Sequence, residues 1–271
     1  MGQSHLERQG SSQAPAEEAA VLTHPASDEM FQKRLGKTFE GLLDALLPRS
    51  CVLCSSSMRK GRYRWICPSC VGKITPPPAA CPRCALPIPS AVALADSPGH
   101  LCGDCRRGIH RFARAYSLGQ YDGALRELIH HYKYDGKIDL KGDFATLLFE
   151  RTELMAERSA YDAIVHVPIH SSRVASREFD QSQLLAAELA RRMGIPHFAR
   201  ALERIRATPP QVGLTKGERR KNVRGAFRVR KPEVIANKWL VVVDDVMTSG
   251  ATVNECARVL HRAGARRVEV V

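Results

Sequence analysis

Four copies of the C-x-x-C motif fall within residues 51–105: Cys51/Cys54, Cys67/Cys70, Cys81/Cys84 and Cys102/Cys105. The intervals between successive pairs are 12, 10 and 17 residues. A C-x-x-C turn aims two thiolates at one ion, and two such turns complete a tetrahedral zinc site. Four copies therefore predict two four-cysteine zinc sites. Both would be structural, because four thiolates leave no open coordination position. A segment this short then takes most of its stability from the metal. Sequential pairing is preferred, with the first four cysteines in one ribbon and the last four in a second; a cross-braced arrangement stays open. The competing reading is a disulfide framework, which suits an oxidising compartment. The first thirty residues carry neither the apolar stretch nor the small-residue cleavage site of a secretory signal, so a cytoplasmic location is expected. A redox C-x-x-C would be single and beside a βαβ unit, which is not the case here. Cys256, the ninth cysteine, stands alone in a helical stretch and reads as a small buried hydrophobe.

The rest of the chain has another texture. Residues 1–28 are rich in Ser, Gln, Ala and Glu with little periodicity and are expected to form a disordered tail. Phe31, Leu35, Phe39, Leu42, Leu43 and Leu46 recur at helical spacing before Pro48, which predicts an amphipathic helix over 31–47. With the ribbons it makes a module over 29–110, and Pro76-Pro77-Pro78 divides the two ribbons. From Ala115 onward helices alternate with apolar strands. Helices are expected over Leu125–Tyr134, Phe144–Ala156, Gln181–Met193 and Thr252–Ala263, and strands over Ala163–Pro168, Trp239–Val243 and Arg267–Val271. That alternation predicts an α/β domain over 111–271, a parallel sheet covered by helices on both faces. Hydrophobic residues make up 44% of the 271 and charged ones 25%, as in a globular protein. The longest aliphatic runs, such as Leu240–Val243, fall far short of the roughly 20 residues a membrane helix needs, so no membrane insertion is expected.

The segment Val241–Thr252 (VVVDDVMTSGAT) carries the most specific chemistry. An apolar strand ends in Asp244 and Asp245, and Thr248-Ser249-Gly250-Ala251-Thr252 then opens a helix. Open α/β sheets bind ligands at the carboxyl ends of their strands. The three hydroxyls can donate to a phosphate, Gly250 allows close backbone approach, and a helix N-terminus presents free N–H groups to an anion. Two carboxylates repel phosphate but suit vicinal ribose hydroxyls, or a magnesium ion carried by the same ligand. The segment is neither a Walker A loop nor a G-x-G-x-x-G dinucleotide fingerprint. The plain alternative is a strand–turn–helix corner with an acidic cap.

Charge adds a second constraint. The chain has a formal net charge of +13. Residues 201–232 carry ten Lys/Arg, among them Lys216, Arg219 and Arg220, against two acids, Glu203 and Glu218. Such a block favours polyanions. Pro209-Pro210, Gly213, Gly217 and Gly225 break it up, so it is expected to be a mobile basic loop and not a helix face.

The succession of motifs resembles one family. After the C-x-x-C pairs come GQYDGALRELIHHYKYDG (Gly119–Gly136), HVPIHSSRVASREFDQSQLLAAELA (His166–Ala190), RIRATPPQVGLTKGERRKNVRGAF (Arg204–Phe227), then the loop with NECARVLHRAGA (Asn254–Ala265). Val241–Thr252 resembles the signature of type I phosphoribosyltransferases, and the whole order from Cys51 to Val271 resembles the ComF family, phosphoribosyltransferase-like proteins with an N-terminal zinc ribbon. One stretch departs: relatives commonly read R-G-F-N-Q where this chain has Arg177-Glu178-Phe179-Asp180-Gln181.

The resemblance implies a type I phosphoribosyltransferase-like fold that binds phosphoribosyl pyrophosphate with magnesium and transfers phosphoribose to a nitrogen acceptor. Catalysis there is mostly positioning and charge neutralisation of the leaving group. By that likeness Asp244 and Asp245 hold the ribose hydroxyls. Thr248, Ser249, Gly250, Ala251 and Thr252 cradle the 5′-phosphate. The turn Ile169–Arg173 receives pyrophosphate with Arg173 as its cation, and Lys216, Arg219 and Arg220 lie where a catalytic loop closes. Lys133 is a lesser cationic candidate. His130, His131, His166 and His170 read as core or solvent positions. The family's association with DNA uptake implies the alternative of a single-stranded-DNA-binding factor working with DNA-uptake machinery, for which Tyr63 and Trp65 offer stacking surfaces. A purely structural zinc adaptor is the third reading, and the phosphate loop argues against it.

Overall fold

The computed structural model describes residues 49–76, 79–88, 99–170 and 179–271. The tail expected over 1–28 and the helix expected over 31–47 lie outside the described residues, as do Arg173, Arg177 and Glu178. Arg49–Val271 is one compact unit.

That unit begins with two copies of one small fold. β1 (Arg49–Ser50) pairs antiparallel with β2 (Ser57–Met58). The turn between them closes when Ser55 N donates to Cys51 O at 2.8 Å. The second copy repeats the bond from Ala85 N to Cys81 O at 2.8 Å, and Ala80 bridges Pro87 in place of the strand pair. Ser55 and Ala85 occupy the same left-handed position, at φ 58° and 55°. In each copy the second cysteine pair opens a short helix: Cys67 precedes α1 (Pro68–Gly72) and Cys102 precedes α2 (Gly103–Arg106).

Then come α3 (Gly123–Tyr134), α4 (Leu140–Arg151), β3 (Ala163–His166), α5 (Gln181–Met193), β4 (Leu202–Arg204), α6 (Lys216–Val223), β5 (Phe227–Val229), β6 (Trp239–Val243), α7 (Ala251–Arg262) and β7 (Arg267–Val270). The central sheet is parallel in the order β3-β6-β7, with Ile164 opposite Val241 and Val241 opposite Glu269. Ala115 bridges Val270 at one edge and His197 bridges Ile164 at the other.

The central strands are mostly apolar because both faces are covered, with His166 and Glu269 the buried polar exceptions. Ile164, Val241 and Val243 pack with Leu128 and Tyr132 of α3, Leu147 of α4 and Leu189 of α5. Val165, Leu240, Val242 and Val268 pack with Val253, Cys256 and Leu260 of α7. Each large side chain so buried contributes roughly 1.5–3 kcal/mol. The two ribbons divide between the faces. Cys51, Ile66, Cys70 and Ile74 join the first core, whereas Cys81, Cys84, Cys105 and Phe112 join the second. Polar contacts fix the first ribbon: buried Asp143 of α4 accepts from the backbone N–H of Arg64 and of Trp65, both at 2.8 Å. Arg151 donates to the carbonyls of Ile74 and Val71, also at 2.8 Å.

The helix Gln181–Met193 and the strand Trp239–Val243 have the bounds expected from their periodicity, and Gly194 closes the former at φ 69°. The helix expected over Phe144–Ala156 starts earlier, at Leu140, and ends at Arg151, where Thr152 turns to an extended conformation. The basic segment needs a larger correction. It is not a single loop. β4 and β5 pair antiparallel, Glu203 opposite Arg228. Between them Thr215 and Glu218 form a capping box that starts α6. Val223 at the end of α6 is buried against the α7 side of the sheet.

Candidate functional site

Two clusters of four thiols stand in the described chain: Cys51, Cys54, Cys67, Cys70 and Cys81, Cys84, Cys102, Cys105. Within each, all Sγ atoms lie within 4.8 Å of one another. Cys54 and Cys67 approach to 3.6 Å, as do Cys84 and Cys102. A tetrahedral zinc with Zn–S bonds of about 2.3 Å sets sulfur–sulfur edges of about 3.8 Å, so both clusters fit the ion. In both, a backbone N–H points at a sulfur: Cys67 N to Cys51 Sγ and Cys102 N to Cys81 Sγ, each 3.4 Å. The pairing is sequential, and none of the nine cysteines is in a disulfide. Cys256 is buried in the core, which raises its thiol pKa.

The loop after β6 is the second centre. Asp244 N donates to Val271 O at 2.9 Å, which keeps the chain in register past the strand end. Asp245 N then donates to Asp244 Oδ1 at 3.0 Å. Gly250 sits at φ 69°, directly before α7, and no side chain caps that helix. Its first residues, Ala251, Thr252 and Val253, face a cavity of about 250 Å³ that Asp244, Asp245, Thr248 and Gly250 also line. Ser249 is buried, and its hydroxyl has no partner. An unspent hydroxyl beside an uncapped helix start is the donor set an anion requires.

Cations surround the loop. Arg219 of α6 donates to Thr248 Oγ1 at 2.7 Å. Gln211 Nε2 donates to Thr252 Oγ1 at 3.0 Å. Lys133 Nζ, from α3, stands 2.8 Å from Asp245 Oδ2. Arg204 lines the cavity and lies over the Phe227 ring, 5.4 Å from its centroid. The structure therefore brings Asp244, Asp245, Thr248, Gly250, Ala251, Thr252 and Arg219 together as the sequence suggests. It leaves Lys216 exposed at the start of α6. Arg173 lies outside the described residues, so only Ile169 and His170 of the expected pyrophosphate turn are seen. Gln211 and Arg204 gave no separate signal in the sequence, and Lys133 gave a faint one.

Electrostatics set Asp244 apart from an ordinary surface carboxylate. Burial first, and then Asp245, push the Asp244 carboxyl up to about 8, against a lowering pull from Lys133. Asp180 caps α5, accepting from Gln183 N at 3.0 Å and from Ile169 N at 3.3 Å. His166 and His197 meet at 3.1 Å, Nδ1 to Nε2. Burial holds both near 4, which leaves a neutral pair at pH 7 and bears out the core reading of His166.

The loop is tied to the second ribbon. Asp104, between Cys102 and Cys105, accepts from Arg220 at 2.7 Å. Asn254 of α7 donates to Ile109 O at 3.3 Å and accepts from Arg111 N. His110 is buried against Phe112, ring centroids 4.9 Å apart.

Comparison with known proteins follows the same division. A double zinc ribbon domain matches residues 42–106, and a phosphoribosyl transferase domain matches residues 180–271. The DNA utilization protein YhgH of Salmonella typhi is 34% identical over 228 residues, 83% of this chain and 96% of the relative. Competence protein F of Haemophilus influenzae is 30% identical over 179 residues, 62% of this chain and 76% of the relative. Competence protein ComFC of Streptococcus pneumoniae is 26% identical over 166 residues, 61% and 69% of the two chains. With the ribbon pair and the phosphoribosyltransferase-type domain both matched, and the YhgH relative covered nearly end to end, the chain belongs to the ComF family.

Proposed function

We propose that the loop Asp244–Thr252 binds a 5-phosphoribosyl compound, phosphoribosyl pyrophosphate with magnesium, and that the bound ligand is set up to pass its phosphoribose to a nitrogen acceptor. The observation that carries this reading is the pairing of two carboxylates with an uncapped helix start in one cavity, beside the buried, partnerless Ser249 hydroxyl. Asp244 and Asp245 would take the ribose hydroxyls. Thr248, Ser249, Thr252 and the N–H groups at Gly250 and Ala251 would take the 5′-phosphate. Arg219, already on Thr248, would neutralise a leaving diphosphate, with Lys216 on the same helix and Arg173 from the Ile169–Arg173 turn as further cations. Among the described residues no third side chain joins the two aspartates in a metal-binding group, and Asp245 is engaged by Lys133. Magnesium would accordingly arrive on the diphosphate, not in a protein cage. Two structural zinc ions would hold the ribbons, one in each four-thiol cluster.

Calorimetry on the zinc-loaded chain with phosphoribosyl pyrophosphate and magnesium tests the site. One-site binding is expected, with loss in Asp245→Asn; unchanged affinity in that variant removes the assignment. Release of pyrophosphate on adding a nitrogenous base tests turnover separately.

A second reading has its own support. The relatives are named for DNA utilization and competence, and the chain carries +13. Single-stranded DNA would lie along the basic side chains of α6 and its flanking strands, with the phosphoribosyl site regulatory and the DNA-uptake machinery as partner. Its affinity should fall steeply with salt as phosphate contacts release counterions; a flat response removes it. A cytoplasmic location accords with reduced thiols. No helix among the described residues is long and apolar enough to cross a membrane.

A further inference from the structure

Lys133 lies far upstream of the phosphate loop in sequence, yet its ammonium reaches the loop's second carboxylate. The side chains of Lys133 and Asp245 are 14% and 20% exposed, and Nζ–Oδ2 is 2.8 Å. A lysine drawn so far from water loses hydration, and the contact must offset that loss. The position is built. Tyr132 OH donates to Gln181 O at 2.8 Å, and Gln181 Nε2 donates back to Lys133 O at 3.2 Å. Tyr132 is 2% exposed and Gln181 5%. The two bonds lock the last turn of α3 onto the first residue of α5, so Lys133 is aimed from a fixed base.

Its target is the cavity of the phosphate loop, which Lys133 lines together with Asp244, Asp245, Thr248 and Thr252. Two carboxylates on the wall of an anion site oppose the anion they are meant to receive. Burial keeps the proton on Asp244 at neutral pH, so the pair carries one charge, which Lys133 balances and Arg204 on the same wall outweighs before any ligand enters. We propose that Lys133 is a positioning residue of the ligand site: it neutralises the Asp244–Asp245 pair, orients Asp245 toward the sugar hydroxyls, and so admits a multiply charged sugar phosphate beside two acids. This rests on the phosphoribosyl reading above. An ion pair that merely fastened α3 to the sheet would leave ligand affinity and its response to magnesium unchanged.

The experiment is calorimetric titration of the zinc-loaded chain with phosphoribosyl pyrophosphate at several magnesium concentrations. Wild type, Lys133→Met and Lys133→Arg are compared. Loss of one charge-assisted contact predicts at least about tenfold weaker binding in Lys133→Met at low magnesium. The deficit should shrink as magnesium supplies the missing positive charge, and Lys133→Arg should recover affinity to within a few-fold. If Lys133→Met does not fold, Gln181→Met loosens the clamp while keeping the ammonium; weaker binding with the same magnesium response supports the proposal, and wild-type affinity overturns it. Lys133→Met that binds like wild type overturns it, as does a deficit that magnesium and arginine both fail to relieve. Wild-type chain that binds no phosphoribosyl pyrophosphate removes the phosphoribosyl reading and this inference together. Wild-type binding with an unaffected Lys133→Met removes the inference alone.

Discussion

Gly250→Ala probes the phosphate loop without touching a charge. Gly250 stands at φ 69°, ψ 7°, immediately before α7. A residue with a Cβ in that conformation costs about 1–2 kcal/mol. The added methyl would meet His110 Cε1 at 3.4 Å and Met247 Sδ at 3.7 Å. Those are close but ordinary contacts, so backbone strain, not collision, sets the magnitude. For a domain of this size each kcal/mol lowers Tm by about 2–4 °C, hence a fall of about 2–8 °C. Relaxing the strain means rotating the peptide that starts α7, so its N–H groups leave the cavity and ligand affinity should fall with stability. Thermal melts with and without phosphoribosyl pyrophosphate read both effects. Gly250→Asn tolerates the left-handed region better but brings more atoms toward the His110 ring, so it separates strain from crowding. An alanine variant that melts within about 1 °C of wild type and binds ligand normally would refute the claim that the loop is held in this conformation.

Two further outcomes follow from the geometry. Asp244 holds its proton more tightly folded, at about 8, than unfolded, at about 3.9. Its ionisation therefore costs stability progressively as pH rises between those values. Asp244→Asn removes that cost, so its gain in ligand-free Tm should be larger at pH 8.5 than at pH 5; an equal gain at both would contradict the burial argument. Elemental analysis of chain purified without chelator should find about two zinc ions, and Cys51→Ser and Cys81→Ser should each lose one. Loss of both ions in either single variant would mean that the ribbons are not independent metal sites.

Local patterns were legible in the sequence, and contacts between distant segments were not. The C-x-x-C pairs, the apolar run Leu240–Val243 and the hydroxyl-rich turn each declare themselves within a dozen residues. The cysteine pairing did not, because C-x-x-C spacing is the same in sequential and cross-braced sites; packing of each ribbon on its own face of the sheet decides it. α6 was missed although its signal was present. The cations and glycines suggested a loop, while Thr215 and Glu218, three apart, marked a helix start. Lys133 could be suspected only as a stray cation, since its partner Asp245 comes from another element. Asp180 shows a departure absorbed: where the family's motif commonly has asparagine, aspartate still accepts the Gln183 N–H at the start of α5, since both residue types cap helices about equally well.

Asp104 is neither a zinc ligand nor part of the phosphate loop, yet it connects them. It sits between two thiols of the second cluster and holds Arg220, next in sequence to the arginine on Thr248. Linkage between two sites through a shared element is reciprocal. To whatever extent metal steadies Asp104 and thereby the loop, a sugar phosphate in the loop must tighten the binding of that metal by the same free energy. The second ribbon is then no inert clasp. Its occupancy and that of the proposed phosphoribosyl site would belong to one binding polynomial, so the apparent affinity for either would depend on the supply of the other.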